Sequence, residues 1–207
     1  MRDRSRTRAG GPGPVADPGA LAVAAQVLIA LQTAAQVAVG VAGGTRSELF
    51  ARFVPLSLPL FVTTVVVFLC WFRRCRLNAG HFAPGTQRHS AGLAVGAWFI
   101  PVVMWWVPLR VALDIRRANR PAGANPPAGG EWLINAWWVA WLGKTIGAVI
   151  AIRLGAPRPY PYSLYDEVVG VVAAVLAILV IRQITAGQTA RIRADLKSVR
   201  YGRTSSH

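Results

Sequence analysis

The stretch RHSAGLAVGAWFIPVVMWWVPLRVALDIRRAN, residues 88–119, decides how this chain is built. Its uncharged part, Gly92 to Leu109, is 18 residues long. A helix needs about 20 residues, at about 1.5 Å each, to cross the hydrocarbon of a bilayer. Pro101 and Pro108 interrupt it, and each removes a backbone donor and frees a carbonyl that needs another partner. Trp98, Trp105 and Trp106 favour the membrane interface over its centre. The block either crosses, or it dips in and returns, and the topology of the whole chain follows from that choice.

Four further apolar blocks surround it: Gly19 to Ala42, Phe53 to Phe72, Trp132 through Lys144 to Ile152, and Val168 to Ile181. The first three span by length alone. The last has 14 uncharged residues, and its flanks extend it. Ser163 and Asp166 have the spacing of a capping box that starts a helix at Leu164. Tyr160, Tyr162 and Tyr165 suit an interfacial belt, and Arg182 can snorkel to the far headgroups.

Charge decides the third block. With five crossings, 10 Lys/Arg fall on one side and 12 on the other. With block three dipping in or lying flat, 18 fall on the side of both termini and 4 on the other. Positive residues accumulate on the cytoplasmic side. The expectation is an all-α integral membrane protein: four spanning helices, one proline-broken re-entrant or interfacial helix, and both termini cytoplasmic at the plasma membrane. Five spanning helices are the alternative.

Composition agrees. Hydrophobic residues make up 54%, charged ones 15%, and the net charge is +15. A disordered chain is not this apolar. A nucleic-acid-binding domain would spread its basic residues between shorter apolar elements, so no nucleic-acid partner is expected. Two cysteines do not make a disulfide framework, and Cys70 and Cys75 are expected on the reducing side. Residues 1–18 read as a disordered basic tail, residues 19–186 as the helical membrane domain, and residues 187–207 as a cytosolic amphipathic, basic tail. The first block is too long for a signal-peptide core and reads as an anchor. Residues 118–130, ANRPAGANPPAGG, read as a flexible linker, and no internal repeat is visible.

FLCWFRRCRLNAG (68–80), the stretch 88–119, WWVAWL (137–142) and VIRQITAGQTAR (180–191) occur in an order that resembles a family of actinobacterial multi-pass membrane proteins known only as domain of unknown function number four-three-two-eight. The similar positions are Trp71, Arg74, Arg76, Asn78, Arg88, Gly96, Trp98, Pro101, Trp106, Pro108, Trp137, Trp138, Trp141 and Gln188. Where relatives often have Asn between the two prolines, this chain has Met104. The resemblance implies a helical fold and a membrane location, and brings no activity.

Three places carry candidate chemistry. Lys144 lies inside the fourth block, where a charge costs about 2.5–3.5 kcal/mol. It suits an ion path or an anion site, or else stacking on Trp137 and Trp141, spaced along its own helix. Arg73, Arg74 and Arg76, after the second block, read as an anchor to anionic headgroups. Asn78 and Arg88 are placed to hold the following loop through its backbone. Arg110, Asp114 and Arg117 share a helix face and can pair, beside a Trp-rich segment broken at Pro101 and Pro108. Gln32 and Gln36 share a face and are expected to bond neighbouring helices. The pairs Gly40/Gly44, Gly92/Gly96 and Gly143/Gly147 suit close helix packing.

No metal-ligand spacing, nucleophile elbow, phosphate loop or paired carboxylates occur, so no metal, cofactor or enzymatic activity is expected. The macrodipole of a helix start accounts for Asp166 and Glu167. The expected function is a non-enzymatic module contacting lipids, anionic headgroups above all, with a partner membrane protein or a second copy as further contacts. A small-solute or ion transporter using Lys144 and the broken third helix is the alternative.

Overall fold

The structure, a computed structural model, describes residues 15–120, 131–153 and 164–204, the side chains of 151, 152 and 198–204 excepted. Most of the basic tail, most of the 118–130 linker, and Tyr160, Tyr162 and Ser163 lie outside the described residues. Those described are all-helical with no strand. The helices are α1 (Gly19–Val41), α2 (Glu48–Phe82), α3 (Ala91–Gly96), α4 (Val107–Ala118), α5 (Trp132–Arg153) and α6 (Leu164–Thr204).

Four of them, α1, α2, α5 and α6, are long and apolar enough to cross a membrane. Their outward faces carry Leu56, Leu58, Phe61, Val139, Val149 and Val175, all exposed. Exposed apolar faces of this extent are stable against hydrocarbon and not against water. Pro55 and Pro59 sit inside α2 without ending it. Hydroxyls cover carbonyls around them, Ser57 donating to Val54 (2.7 Å) and Thr63 to Pro59 (2.7 Å).

α1 packs along α2 and α6, and α6 along α5. The chain turns from α1 into α2 through Gly43 and Gly44, whose φ of 108° and 63° only glycine adopts without strain. α3 and α4 lean on α2, and α4 also on α5, so residues 91–118 fill part of the gap between α2 and α5.

Block three is not a continuous helix. Ser90 caps α3, its Oγ accepting from Leu93 N–H at 3.1 Å, and α3 ends at Gly96, before either proline. Turns follow to Trp106. Pro108 does not interrupt a helix as the sequence suggested. It sits in the first turn of α4, where a missing N–H costs nothing. At the tip, Val103 N–H donates to the Pro101 carbonyl at 2.9 Å across Val102, whose φ is 72°. This γ-turn is strained for a β-branched residue. The N–H groups of Trp98, Phe99, Met104, Trp105 and Trp106 also find backbone carbonyls. Such self-satisfaction is what non-helical backbone at membrane depth requires.

Both flanks of block three lie at one end of the bundle. Before it, Arg76 donates to the His89 carbonyl. After it, Asn119 Nδ2 donates to the Ile184 carbonyl at 3.2 Å. Ile184 is one turn from Gln188, whose Nε2 donates to the Cys75 carbonyl at 2.8 Å. The segment leaves this end, turns near Val102 and comes back. It reaches the level of Ile29, ten residues and about 15 Å into α1.

The tail boundaries shift at both ends. Val15 to Pro18 belong to the fold, because Asn78 clamps the Ala16 backbone from both sides: Ala16 N–H to Oδ1 (3.3 Å), Nδ2 to the carbonyl (2.8 Å). Gln188, expected in the tail, is completely buried in the core.

Candidate functional site

Where residues 97–106 stop, the gap between α2 and α5 is left unfilled. A cavity of about 380 Å³ opens there, lined by Ile29, Phe61, Phe68, Trp98, Met104 and Trp141 among others. Its floor is an aromatic cluster. Trp98 stands edge-on to Phe68, Phe72, Trp138 and Trp141, with ring centroids 5.5–6.1 Å away. Trp138 and Trp141 stack at 4.8 Å, the i and i+3 positions of α5. Trp138 Nε1 donates to the Trp105 carbonyl (3.2 Å) and fixes the returning side of the tip. The indole N–H of Trp98 is buried without a hydrogen-bond partner.

A second cavity of about 310 Å³ adjoins the first and shares Ile29, Phe61, Trp137, Trp141 and Ala177 with it. Its remaining wall carries four polar side chains, Gln32, Thr33, Gln36 and Lys144, beside Gly170, Ala173 and Ala174 of α6. The amides of Gln32 and Gln36 make no hydrogen bond to another helix among the described residues, contrary to the expectation from their shared face. They face the void.

Lys144 is half-buried and crosses to α6, with Nζ against Gly170, where a Cβ would stand 2.8 Å away. Tyr165 of the same helix lies beside Gly143 and Gly147, its hydroxyl donating to the Gly143 carbonyl (3.1 Å). α6 runs opposite to α5, and Gly170 is five residues past Tyr165. Val169 of α6 stands level with Gly143, 4.0 Å from where its Cβ would be, so the ammonium at Gly170 lies at about the level of its own backbone. It makes no ion pair among the described residues.

One layer outward, Asp166 and Glu167 flank a small cleft shared with Thr33, Gln36 and Gly170. The carboxylate of Glu167 packs where a Cβ on Gly40 would be. These acids thus sit between helices, in a position that the helix-start reading did not foresee. Of the small-residue pairs, Gly143/Gly147 makes a close approach, to Tyr165. Gly44 is outside α1, and Gly92 and Gly96 face open space or their own cap.

The other predicted residues gather at the opposite, basic end. α2 continues as helix through WFRRCRLNAG, so these residues do not form a loop. Arg73 is exposed and Arg74 half-buried, whereas Arg76 turns inward and is mostly buried. Arg76, not the exposed Arg88, holds the connection to α3. Asn78 ties the segment leading into α1 to α2 and α6, its Nδ2 also donating to Gln188 Oε1 at 2.9 Å. Trp71 Nε1 donates to Thr185 Oγ1 at 3.0 Å.

Arg110 is exposed and does not pair with Asp114. Asp114 is mostly buried, 3.7 Å from Arg117 and within the field of Arg76. Arg117 grips Glu131 with two bonds, of 2.9 and 3.1 Å. That pairing holds the Glu131 carboxyl below the usual range and raises Arg117. Burial lowers Arg116.

No group of three His, Cys, Asp or Glu is placed to hold a metal among the described residues. Glu131 gave no motif, because it acquires its role from Arg117, fourteen residues away on another element.

A family model described as Domain of unknown function (DUF4328) matches residues 36–186, more than half of the chain. Comparison with curated proteins and with solved structures returns no match.

Proposed function

The chain belongs to the DUF4328 family, and on that premise, which brings no activity, we propose that it is a non-enzymatic module of the cytoplasmic membrane acting through contacts with lipids. The charge of the two bundle ends carries this reading. The end holding the start of α1, the end of α2, α4 and the distal part of α6 has twelve Lys/Arg against four Asp/Glu among the residues whose side chains are described. The opposite end has three of each. A basic end is attracted to anionic lipid by about 1 kcal/mol per exposed cation. Exposed Arg73, Arg88, Arg110, Arg182, Arg193 and Lys197 are available contacts, and a partner membrane protein or a second copy would use the same face.

This orientation puts both termini and the tip's two flanks in the cytoplasm. Reporter fusions at residues 45, 85, 125, 158 and 205 test it. Positions 85, 125 and 205 should report inside, and 45 and 158 outside; an external 125 would refute the returning segment. For lipid contact, the full chain in nanodiscs should retain phosphatidylglycerol over phosphatidylcholine. Neutralising Arg73, Arg88 and Arg110 together should remove that preference.

A permeation protein for small solutes or ions is the second reading, favoured by the cavity reaching Lys144. Cysteines placed at residues 140–148 would react with aqueous thiol reagents under it, and inert positions would dispose of it.

A further inference from the structure

The returning segment fills only the basic half of the gap between α2 and α5. The remainder is a two-compartment void, apolar toward the tip and with Gln32, Thr33, Gln36 and Lys144 set in the wall of the second compartment. The compartments, about 380 and about 310 Å³, are of ligand-site size, which runs from roughly 300 to 1,000 Å³. Phe61 and Phe99 at its rim are exposed on the lipid-facing surface. Water has little reason to fill the apolar compartment, and a hydrocarbon chain from the bilayer does.

The second compartment specifies the rest of the occupant. Lys144 is a cation lining the void, its Nζ against Gly170 and without a carboxylate partner among the described residues, beside two amides without protein partners on other helices. An anionic group satisfies all three. Asp166 and Glu167, one layer out, disfavour a second negative charge or a bulky head extending toward that end.

We infer that the cavity binds a single-chain amphiphilic monoanion of the fatty-acid class, its carboxylate at Lys144 Nζ between Gln32 and Gln36 and its chain along Trp141, Phe61 and Trp98. The inference rests on the membrane location proposed above but not on headgroup contact at the basic end. A charged hydrogen bond withdrawn from hydrocarbon explains why an unpaired lysine is kept at this depth.

The test uses the full chain in phosphatidylcholine nanodiscs and 9,10-dibromostearate, whose bromines quench nearby indoles. Trp98 and Trp141 are expected to give a saturable quenching component above simple partition into the bilayer. The brominated alcohol of the same chain should bind about tenfold to a hundredfold more weakly, the range of one charge-assisted hydrogen bond. Bromoacetate, lacking the chain, should not saturate. Lys144→Met should remove the discrimination between acid and alcohol, and Lys144→Arg should keep it.

Equal binding of acid and alcohol by the unaltered chain would overturn the inference without any variant having to fold. So would quenching that never saturates, or displacement of dibromostearate by equimolar phosphatidylglycerol, which would give the site to a two-chain lipid. Neutralising Arg73, Arg88 and Arg110 should leave stearate binding unchanged. Loss of phosphatidylglycerol preference in that variant, with failed stearate binding in the parent, would sink the site and spare the surface reading.

Discussion

Replacing Gln188 by Leu tests the lock at the basic end. Gln188 is 0% exposed and Asn78 1%. The substitution removes two hydrogen bonds, Asn78 to Gln188 Oε1 (2.9 Å) and Gln188 Nε2 to the Cys75 carbonyl (2.8 Å). Each is worth about 0.5–1.5 kcal/mol net. Leucine keeps most of the volume, so little cavity cost adds. Asn78 retains its bonds to Ala16, and Cys75 O still has the helix ladder. The expected loss is therefore about 1–3 kcal/mol. For a chain of this size each kcal/mol moves the midpoint by about 2–4 °C, so a loss of about 2 kcal/mol lowers Tm by roughly 4–8 °C. Thermal unfolding of the purified chain in detergent measures it. A double-mutant cycle with Asn78→Leu should give a coupling of about 0.6–1.7 kcal/mol, the range for polar pairs between membrane helices. Unchanged Tm in both variants, or zero coupling, would show that the network does not hold α1, α2 and α6 together.

Val102→Gly should raise thermal stability by about 1 kcal/mol, because glycine adopts a φ of 72° without strain; a destabilised variant would mean the valine side chain contributes more than its backbone costs. Gly147→Leu should separate α5 from α6, since even a Cβ there stands 2.9 Å from the Tyr165 ring, and a disulfide trap between the two helices should form more slowly. The Glu131 carboxyl is held below its ordinary value by Arg117. Its stabilisation is complete above the unfolded value, about 4.3, and is lost as pH falls through the lower folded value. Hydrogen-exchange protection at residues 114–120 and 131–135, taken relative to the intrinsic rate at each pH, should thus fall on acidification, and in Glu131→Gln it should be low already at neutral pH.

The chain reports its membrane helices one at a time, which is why they are legible. α1, α2, α5 and α6 are long because their own residues satisfy their backbones and meet hydrocarbon. Block three was legible as an exception through the distribution of arginine. Its detail was not. Pro101 and Pro108 look alike in sequence, yet one lies in a strained turn and the other starts a helix. The arginines of WFRRCR look equivalent too. Which one turns inward depends on the helix continuing past Phe72 and on the His89 carbonyl arriving from another segment.

Sequence by itself determined the helical class of the protein and the four helices long and apolar enough to cross a membrane, because hydropathy acts locally on each segment. Only the tertiary structure decided that Asn78, Gln188 and Ala16 form one lock, that Glu131 closes on Arg117, and that Lys144 faces a cavity instead of a headgroup. Those depend on how far a returning segment penetrates between two helices, and packing sets that depth where no single stretch of sequence can.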